Sequence, residues 1–383
     1  MTPRLRSGQV PRLRGLVRAA DHAIGRLTGK VRVLADARTP MNLSVLAPLC
    51  TALEADERIE VLSSSEASPI DPWTRVDLAM SADFWHQTPL RRCRRRLAFF
   101  HGVAGKYDLD HPDRLAGADL RRLDRVAFIN RERMDRYLAS GAVTPEQAVL
   151  VGYPKIDRLF HGAWPAAQVR ATLGLPPAAP TVLYAPTFST ANSLHLAGEG
   201  IIAALLASGC NVIVKLHDRS MVPHPKHTGG IDWPARLEHF ARHPHFALAR
   251  DADASPYLSA ADVLVTDHST VGFEFALLDR PVVVFDAPRL REAARIDDRK
   301  WRLLRSMADV ATTPDELRNA VTRALAEPTR LQTERSRAHD LFAYAGNATG
   351  RALEVVYELL NLQPVGVGSG SWVVGRGKSG SVA

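Results

Sequence analysis

At 383 residues, 46% apolar and 23% charged, with a net charge of +8, the chain has the composition of a folded protein too long for one ordinary core, and two domains are expected. Its three cysteines, Cys50, Cys93 and Cys210, are isolated and lack CxxC spacing, which argues against a disulfide framework or a cysteine zinc site and for a reducing compartment. No apolar run approaches the roughly 20 residues of a membrane span, and the first residues lack an uninterrupted apolar segment of the secretory kind.

In chain order, residues 1 to 30 form a basic arm, with Arg4, Arg6, Arg12, Arg14, Arg18, Arg26 and Lys30 against Asp21. From Val31 short β-rich runs alternate with helical ones. "VRVLAD", "IEVLSSS", "VDLAMS", "RRLAFFHG", "RVAFIN" and "AVLVGYP" read as strands, "MNLSVLAPLCTALEAD" and "RERMDRYLASGA" as helices. Residues 31 to 160 therefore read as a Rossmann-like domain, and the Ala- and Pro-rich residues 161 to 180 as a linker. A second series occupies residues 181 to 345: "TVLYAPT", "NVIVKLHD", "HFALAR", "DVLVTD" and "PVVVFD" are its strands. "TPDELRNAVTRALAE" opens with a capping Thr, a Pro and an acid, the signals of a helix start. Residues 346 to 363 read as a closing helix and residues 364 to 383 as a Gly/Ser-rich disordered tail.

Polar residues recur where these strands end, the place at which open α/β sheets bind ligands. His101 and Gly102 end "LAFFHG", Pro186 and Thr187 end "VLYAPT", and Lys215, His217 and Asp218 close "VIVKLHD". The elbow Asp267–His268–Ser269–Thr270 ends "VLVTD" and opens a helix. Such an elbow is either a plain helix cap or a phosphate cradle made of free backbone N–H groups at a positive helix end. Asp267 would repel a phosphate, so it orients the turn or meets a hydroxyl. Glu274, about one turn on, is placed to accept a hydrogen bond from a ribose or polyol, or to form an ion pair. A histidine at His101 suits proton abstraction from a hydroxyl near neutral pH, and Lys215 with His217 suits phosphate oxygens.

Two phosphate motifs drop out. GxxxxGK[ST] is absent, and "GRGKSG" at residues 375 to 380 has no helix after it. "HPKH" and "HPH" lack nearby acidic or thiolate partners, so no metal is expected.

Several segments are similar to motifs of the CDP-glycerol glycerophosphotransferase family, enzymes that prime or polymerise teichoic-acid-type polymers. These are "FFHGVAGKYD", "GYPKIDRLF", "VLYAPTF", "VIVKLHD", "TDHSTVGFEFALLDRPVVVFD" and "GNATGRALEVVYELL", in the family's order over about residues 95 to 362. The chain departs from the family at "HGVAGK" for the usual His-Gly-Thr-Pro and "HD" for His-Pro. It also has Thr270 for a second Ser and Leu277 at a position often polar. The resemblance implies an α/β GT-B fold of two Rossmann-like domains facing a cleft, closed by a C-terminal helix, and a transferase that needs no cofactor or metal. It implies His101 and His217 as catalytic residues, the first as base and the second against charge on the donor diphosphate. Lys215, Thr187, Asp267, Ser269, Thr270 and Glu274 fall on the donor side, Gly102 and Lys106 on the acceptor side.

The implied partners are CDP-glycerol or a related CDP-polyol and a lipid-linked or polymeric hydroxyl acceptor. The basic arm and the cluster Arg91–Arg96 ("RRCRRR") would hold the protein on an anionic membrane surface, at the inner face of the cell membrane. Nucleic acid is not expected, because no aromatic residues interleave with these arginines. Two other readings compete: a nucleotide-sugar glycosyltransferase or UDP-sugar epimerase on the same fold, and a polyanion-binding protein without activity.

Overall fold

The computed structural model describes residues 29–364 apart from His86 and residues 116–118, together with Gly25 and Leu27. Most of the basic arm and nearly all of the Gly/Ser-rich tail lie outside the described residues. The first lobe runs β1 (Val31–Asp36), α1 (Pro40–Glu54), β2 (Ile59–Ser64), β3 (Val76–Ser81), β4 (Cys93–Phe99), β5 (Arg125–Phe128), α2 (Arg131–Ala139), β6 (Ala148–Leu150) and α3 (Pro154–Phe160). Residues 161–180 then carry α4 (Ala166–Thr172), which leans on the second lobe through Arg170 Nη1 donating to Ala260 O at 2.9 Å.

The second lobe runs β7 (Thr181–Tyr184), α5 (Ser193–Ala207), β8 (Asn211–Lys215), β9 (Phe246–Ala249), α6 (Ser255–Ala260), β10 (Val263–Thr266) and α7 (Thr270–Leu277). It ends with β11 (Val282–Phe285), α8 (Pro288–Ala293), α9 (Asp298–Ser306), β12 (Ala308–Ala311) and α10 (Pro314–Ala326), before α11 (Ala348–Leu360) returns to the first lobe.

Both sheets are parallel and six-stranded among the described residues, ordered β2-β1-β3-β4-β5-β6 and β12-β11-β10-β7-β8-β9. Strand order therefore reverses between β1 and β3 in one lobe and between β7 and β10 in the other, and these two switch points face each other. The strands of the second sheet follow a period of two that feeds two cores. Val182, Tyr184, Val212, Val214, Val263, Val265, Val283 and Phe285 point to a core covered by α5 and α10. Leu183, Ile213, Leu264, Val282 and Val284 point the other way, into a core continuous with that of the first lobe. The lobes thus share apolar packing below the cleft.

Helix starts follow local chemistry. Thr313 Oγ1 accepts from Glu316 N at 3.2 Å, Pro314 takes the first helical position, and Glu316 reaches back to Thr312 N at 2.8 Å. The segment "GYPKID" is explained piece by piece. Gly152 has φ of +90°, and a side chain there would strike Ala343 O. Asp157, in the first turn of α3, accepts from Thr349 N at 2.6 Å and so pins the start of α11. The strand β12 was not foreseen from the sequence. The cluster Arg91–Arg96 lies at the N-terminal end of β4, where Arg95 pairs with Asp124 at 2.6 Å and Arg96 N donates to Asp124 at 2.8 Å. His101 follows the other end of the same strand, so the cluster and the cleft are separated by roughly 20 Å of strand.

Candidate active site

A cleft of about 540 Å³ lies between the lobes, lined from both switch points. Arg38 and Thr39 follow β1, Asp83 follows β3, and His101, Gly102, Lys106 and Tyr107 follow β4. From the second lobe come Phe188 after β7, Lys215, His217, Asp218 and Arg219 after β8, and Ser269, Thr270 and Glu274 of the α7 elbow. Arg38, Lys106, Arg114, Lys155, Lys215, Arg219, Lys226 and Arg295 face three acids in this lining, Asp83, Asp218 and Glu274. The cleft is a positive pocket suited to a polyanion such as a diphosphate.

The elbow is not an ordinary side-chain cap. Ser269 occupies the N-cap position of α7 with extended backbone, yet its side chain makes no capping bond. The turn is held instead from behind by Asp267, which is fully buried. Its carboxylate accepts from Thr187 N at 2.9 Å, Ser193 N at 3.0 Å, Ser193 Oγ at 2.9 Å and its neighbour His268 N at 2.7 Å. The amides of Thr270 and Val271 open α7 without intrahelical acceptors, Gly272 N already donating to Ser269 O at 3.1 Å, and stand at the positive end of the helix. Asp267 and Thr187, both expected on the donor side, are set behind the cleft wall, while Ser269 and Thr270 line it. Asp267 has no capacity left to meet a donor hydroxyl without breaking the turn.

Across the cleft His101 is fixed by Nδ1, which lies 2.7 Å from Ala82 O. A carbonyl only accepts, so Nδ1 carries the proton and Nε2 keeps its lone pair. Burial pushes the ring below its ordinary pKa, with the Asp83 carboxylate pulling the other way, so the imidazole is neutral near pH 7. Its backbone oxygen accepts from Tyr153 Oη at 3.0 Å. Gly102 then packs against Thr270 of the elbow so tightly that a Cβ would collide with Thr270 Oγ1. His101 and the elbow are therefore neighbours across the lobe boundary. The Gly102 carbonyl is held by Arg133 Nη1 at 2.7 Å, itself buried and paired with Asp110 at 2.5 Å.

His217 stands on the second lobe's side of the cleft with its ring centroid 4.5 Å from that of Phe188. Its Nδ1 lies 2.6 Å from Asp218 Oδ1, and burial lowers its pKa against the pull of that carboxylate. Lys215 is buried and its Nζ donates to Leu216 O at 2.6 Å; burial pushes its pKa down to about 8. Lys106, expected on the acceptor side, instead reaches across the cleft and donates to Thr187 Oγ1 of the second lobe, and burial likewise pushes it down to about 8. Both lysines are short of counter-charge, the condition that a bound anion relieves.

Glu274 is engaged by a residue that the sequence reading did not single out. Lys155 Nζ lies 3.0 and 3.2 Å from its two oxygens, and both side chains are buried. Burial pushes the Glu274 carboxyl upward and Lys155 draws it back. Phe188, Tyr107 and Arg219 were missed as well. Tyr107 stacks on Phe188 at 5.7 Å, and the Arg219 guanidinium lies 4.9 Å from the Phe188 centroid, making an aromatic shelf between the lobes. Lys155 sits inside "GYPKIDRLF" and Arg219 directly after "VIVKLHD", so their signal was adjacency to segments already singled out.

Among the described residues no group of three or more His, Cys, Asp or Glu side chains is placed to hold a metal ion. No helix among them is long and apolar enough to cross a membrane.

Among solved structures, the chain is similar to the wall teichoic acid polymerase TagF, at 14% identity and a TM-score of 0.65, covering 92% of this chain and 95% of that one. A TagF variant soaked with CDPG matches at 14% identity and a TM-score of 0.64, over 94% and 99%. The S. aureus MnaA–UDP structure matches at 12% identity and a TM-score of 0.56, over 87% and 98%. At such identities these likenesses establish the fold, two Rossmann-like lobes in the GT-B arrangement. No curated protein matches the chain in sequence. The family model for CDP-Glycerol:Poly(glycerophosphate) glycerophosphotransferase matches residues 85–361, which hold every cleft residue except Arg38, Thr39, Met41, Asn42 and Asp83. The chain therefore belongs to the CDP-glycerol:poly(glycerophosphate) glycerophosphotransferase family, a family of transferases.

Proposed function

We propose that the cleft binds CDP-glycerol or a related CDP-polyol with its diphosphate on the first amides of α7, and passes the polyol-phosphate to a hydroxyl of a lipid-linked or polymeric acceptor. Transfer of a glycerol-phosphate unit from a CDP-linked donor to a polymer acceptor is the activity of the family to which the chain belongs. One observation carries the assignment of roles: the contact of Gly102 with Thr270, which sets His101 beside the uncapped end of α7.

In this reading the acceptor oxygen attacks the phosphorus that bears the polyol, and its proton goes to His101 Nε2. The bond to the bridging oxygen breaks, and CMP leaves with the electron pair. Lys215, Lys106, Ser269, Thr270 and His217 hold the charge that shifts onto the diphosphate. Stabilising this charge is the larger task in phosphoryl transfer, and proton abstraction the smaller one. Thr187 and Asp267 act from behind by shaping the elbow. Glu274, paired with Lys155, fixes the depth at which the nucleotide sits. We place the protein at the inner face of the cell membrane, where such an acceptor is presented.

The test is CMP release by the purified protein from CDP-glycerol with a lipid-linked acceptor. Release no faster than that of the His101→Ala variant would sink the reading. A thermal-shift panel extends it: stabilisation by UDP-sugars in preference to CDP-polyols would favour a nucleotide-sugar enzyme instead.

A further inference from the structure

Asp83 follows the end of β3 and lines the cleft, yet no step of the proposed transfer uses it. It lies outside residues 85–361, so membership of the family assigns it no role. The turn that carries it is tied at both sides. Ser81 Oγ donates to Asp83 O at 2.7 Å and accepts from Asp83 N at 3.2 Å, and Asp83 Oδ1 accepts from Trp85 N at 2.8 Å. Phe84, between Asp83 and Trp85, points into the core with its ring centroid 4.6 Å from that of Phe100. Its two neighbours are thereby turned to the cleft, which both line.

The same turn fixes His101. The carbonyl of the Ala82–Asp83 peptide accepts from His101 Nδ1 at 2.7 Å and from Asn42 Nδ2 at 3.4 Å. One peptide therefore sets both the imidazole and the carboxylate that follows it, on strands that are neighbours in the sheet, Ser81 pairing with Ala98. Asp83 is only 4% exposed, but among the described residues it forms no ion pair, and its Oδ2 has no hydrogen-bond donor. A carboxylate oxygen so enclosed calls for a donor from the cleft it lines. That donor is not a phosphate, which the carboxylate repels. Nor is it the attacking hydroxyl, whose single proton goes to His101 Nε2.

From this juxtaposition we infer that Asp83 is a specificity-determining residue that reads a second hydroxyl of the acceptor. The acceptor then ends in a vicinal diol, such as a terminal glycerol unit. One hydroxyl gives its proton to His101 and attacks, while its neighbour donates to Asp83 Oδ2 and sets the angle of approach. The inference deepens the proposed function and rests on that reading for the identity of the attacking hydroxyl.

The experiment is NMR titration of the full chain, without donor, by two compounds. Methyl glyceryl phosphate ends in the diol, and methyl 3-hydroxypropyl phosphate lacks only its middle hydroxyl. Binding is read directly, so failure of the CMP-release assay leaves the result intact. Expected is a Kd about ten-fold or more lower for the diol. Asp83→Asn keeps an oxygen for Trp85 N and removes the charge. It is expected to bring the preference below about three-fold while leaving the Kd of the one-hydroxyl compound within about two-fold of wild type. Equal affinity of the wild type for the two compounds overturns the inference. Weakening of both compounds alike by Asp83→Asn overturns it too, and makes Asp83 a brace of the turn. Full preference retained by Asp83→Asn overturns it by placing the partner of the second hydroxyl elsewhere.

Discussion

Lys155 of the first lobe and Glu274 of the second form a buried ion pair at 3.0 Å, with Asp253 Oδ1 4.0 Å from the same ammonium. Burial works against the Lys155 ammonium, but Glu274, Tyr153 and Asp253 together hold its pKa above the ordinary value. Removing one partner leaves an uncompensated charge in the interior, whereas removing both does not. Lys155→Met is expected to destabilise the fold by about 3 kcal/mol and Lys155→Met/Glu274→Met by clearly less. Calorimetric melting of the two single variants and the double variant measures the coupling, and additive losses would show that the pair does not hold the lobes.

The elbow gives opposite expectations for two neighbours. Asp267 satisfies four buried donors, so Asp267→Ala leaves them unpaired and is expected to cost about 3 kcal/mol or more. Ser269 makes no capping bond, so Ser269→Ala is expected to change stability by less than about 0.5 kcal/mol. Its effect appears in donor binding, read as a raised Kd for CDP-glycerol by titration calorimetry. Equal melting temperatures for the two variants would refute the brace-and-cradle division.

That division marks where sequence reading stopped. Alternation of apolar strands with amphipathic helices made both lobes legible, because each strand buried on both faces must be written in Val, Leu, Ile and Phe. β12, "ADVA", escaped because it has four residues and its two middle side chains, Asp309 and Val310, are partly or fully exposed. Strand ends located His101, His217, Lys215 and the elbow, since topology alone puts them at one mouth. Which elbow residue faces the mouth was not legible: Asp267 and Ser269 differ by two positions, and only the packing of α5 behind β10 decides. Lys155 was hidden for the same reason, its partner lying 119 residues away.

Lys106 and Lys215 make donor binding depend on pH. Burial depresses both to about 8, below the unfolded lysine value, so the ammonium forms are present below pH 8 and lost above it. A bound diphosphate favours the charged forms and raises both pKa values again. Affinity for CDP-glycerol is therefore expected to hold steady from pH 6.5 to 7.5 and to fall about ten-fold or more by pH 9.5. Near pH 8 binding takes up protons, which calorimetry in two buffers of different ionisation enthalpy counts. Lys215→Met should reduce that uptake, and a pH-independent affinity would remove both lysines from the donor site.

His101 and His217 separate by step. His101 commits Nδ1 to Ala82 O, which leaves Nε2 as its proton-accepting nitrogen. His101→Ala is expected to lower kcat by about 10²- to 10⁴-fold, the usual worth of a general base, while leaving the Kd for donor near wild type. His217 stands over Phe188 on the second lobe, where the donor is proposed to bind, so His217→Ala is expected to weaken donor binding as well as turnover. Asp218→Asn, which keeps the shape but removes the charge that draws His217 toward the imidazolium, should reproduce part of the His217 loss and none of the His101 loss. Single-turnover CMP release and donor titration on the three variants check this. A donor Kd raised by His101→Ala and untouched by His217→Ala would reverse the two roles.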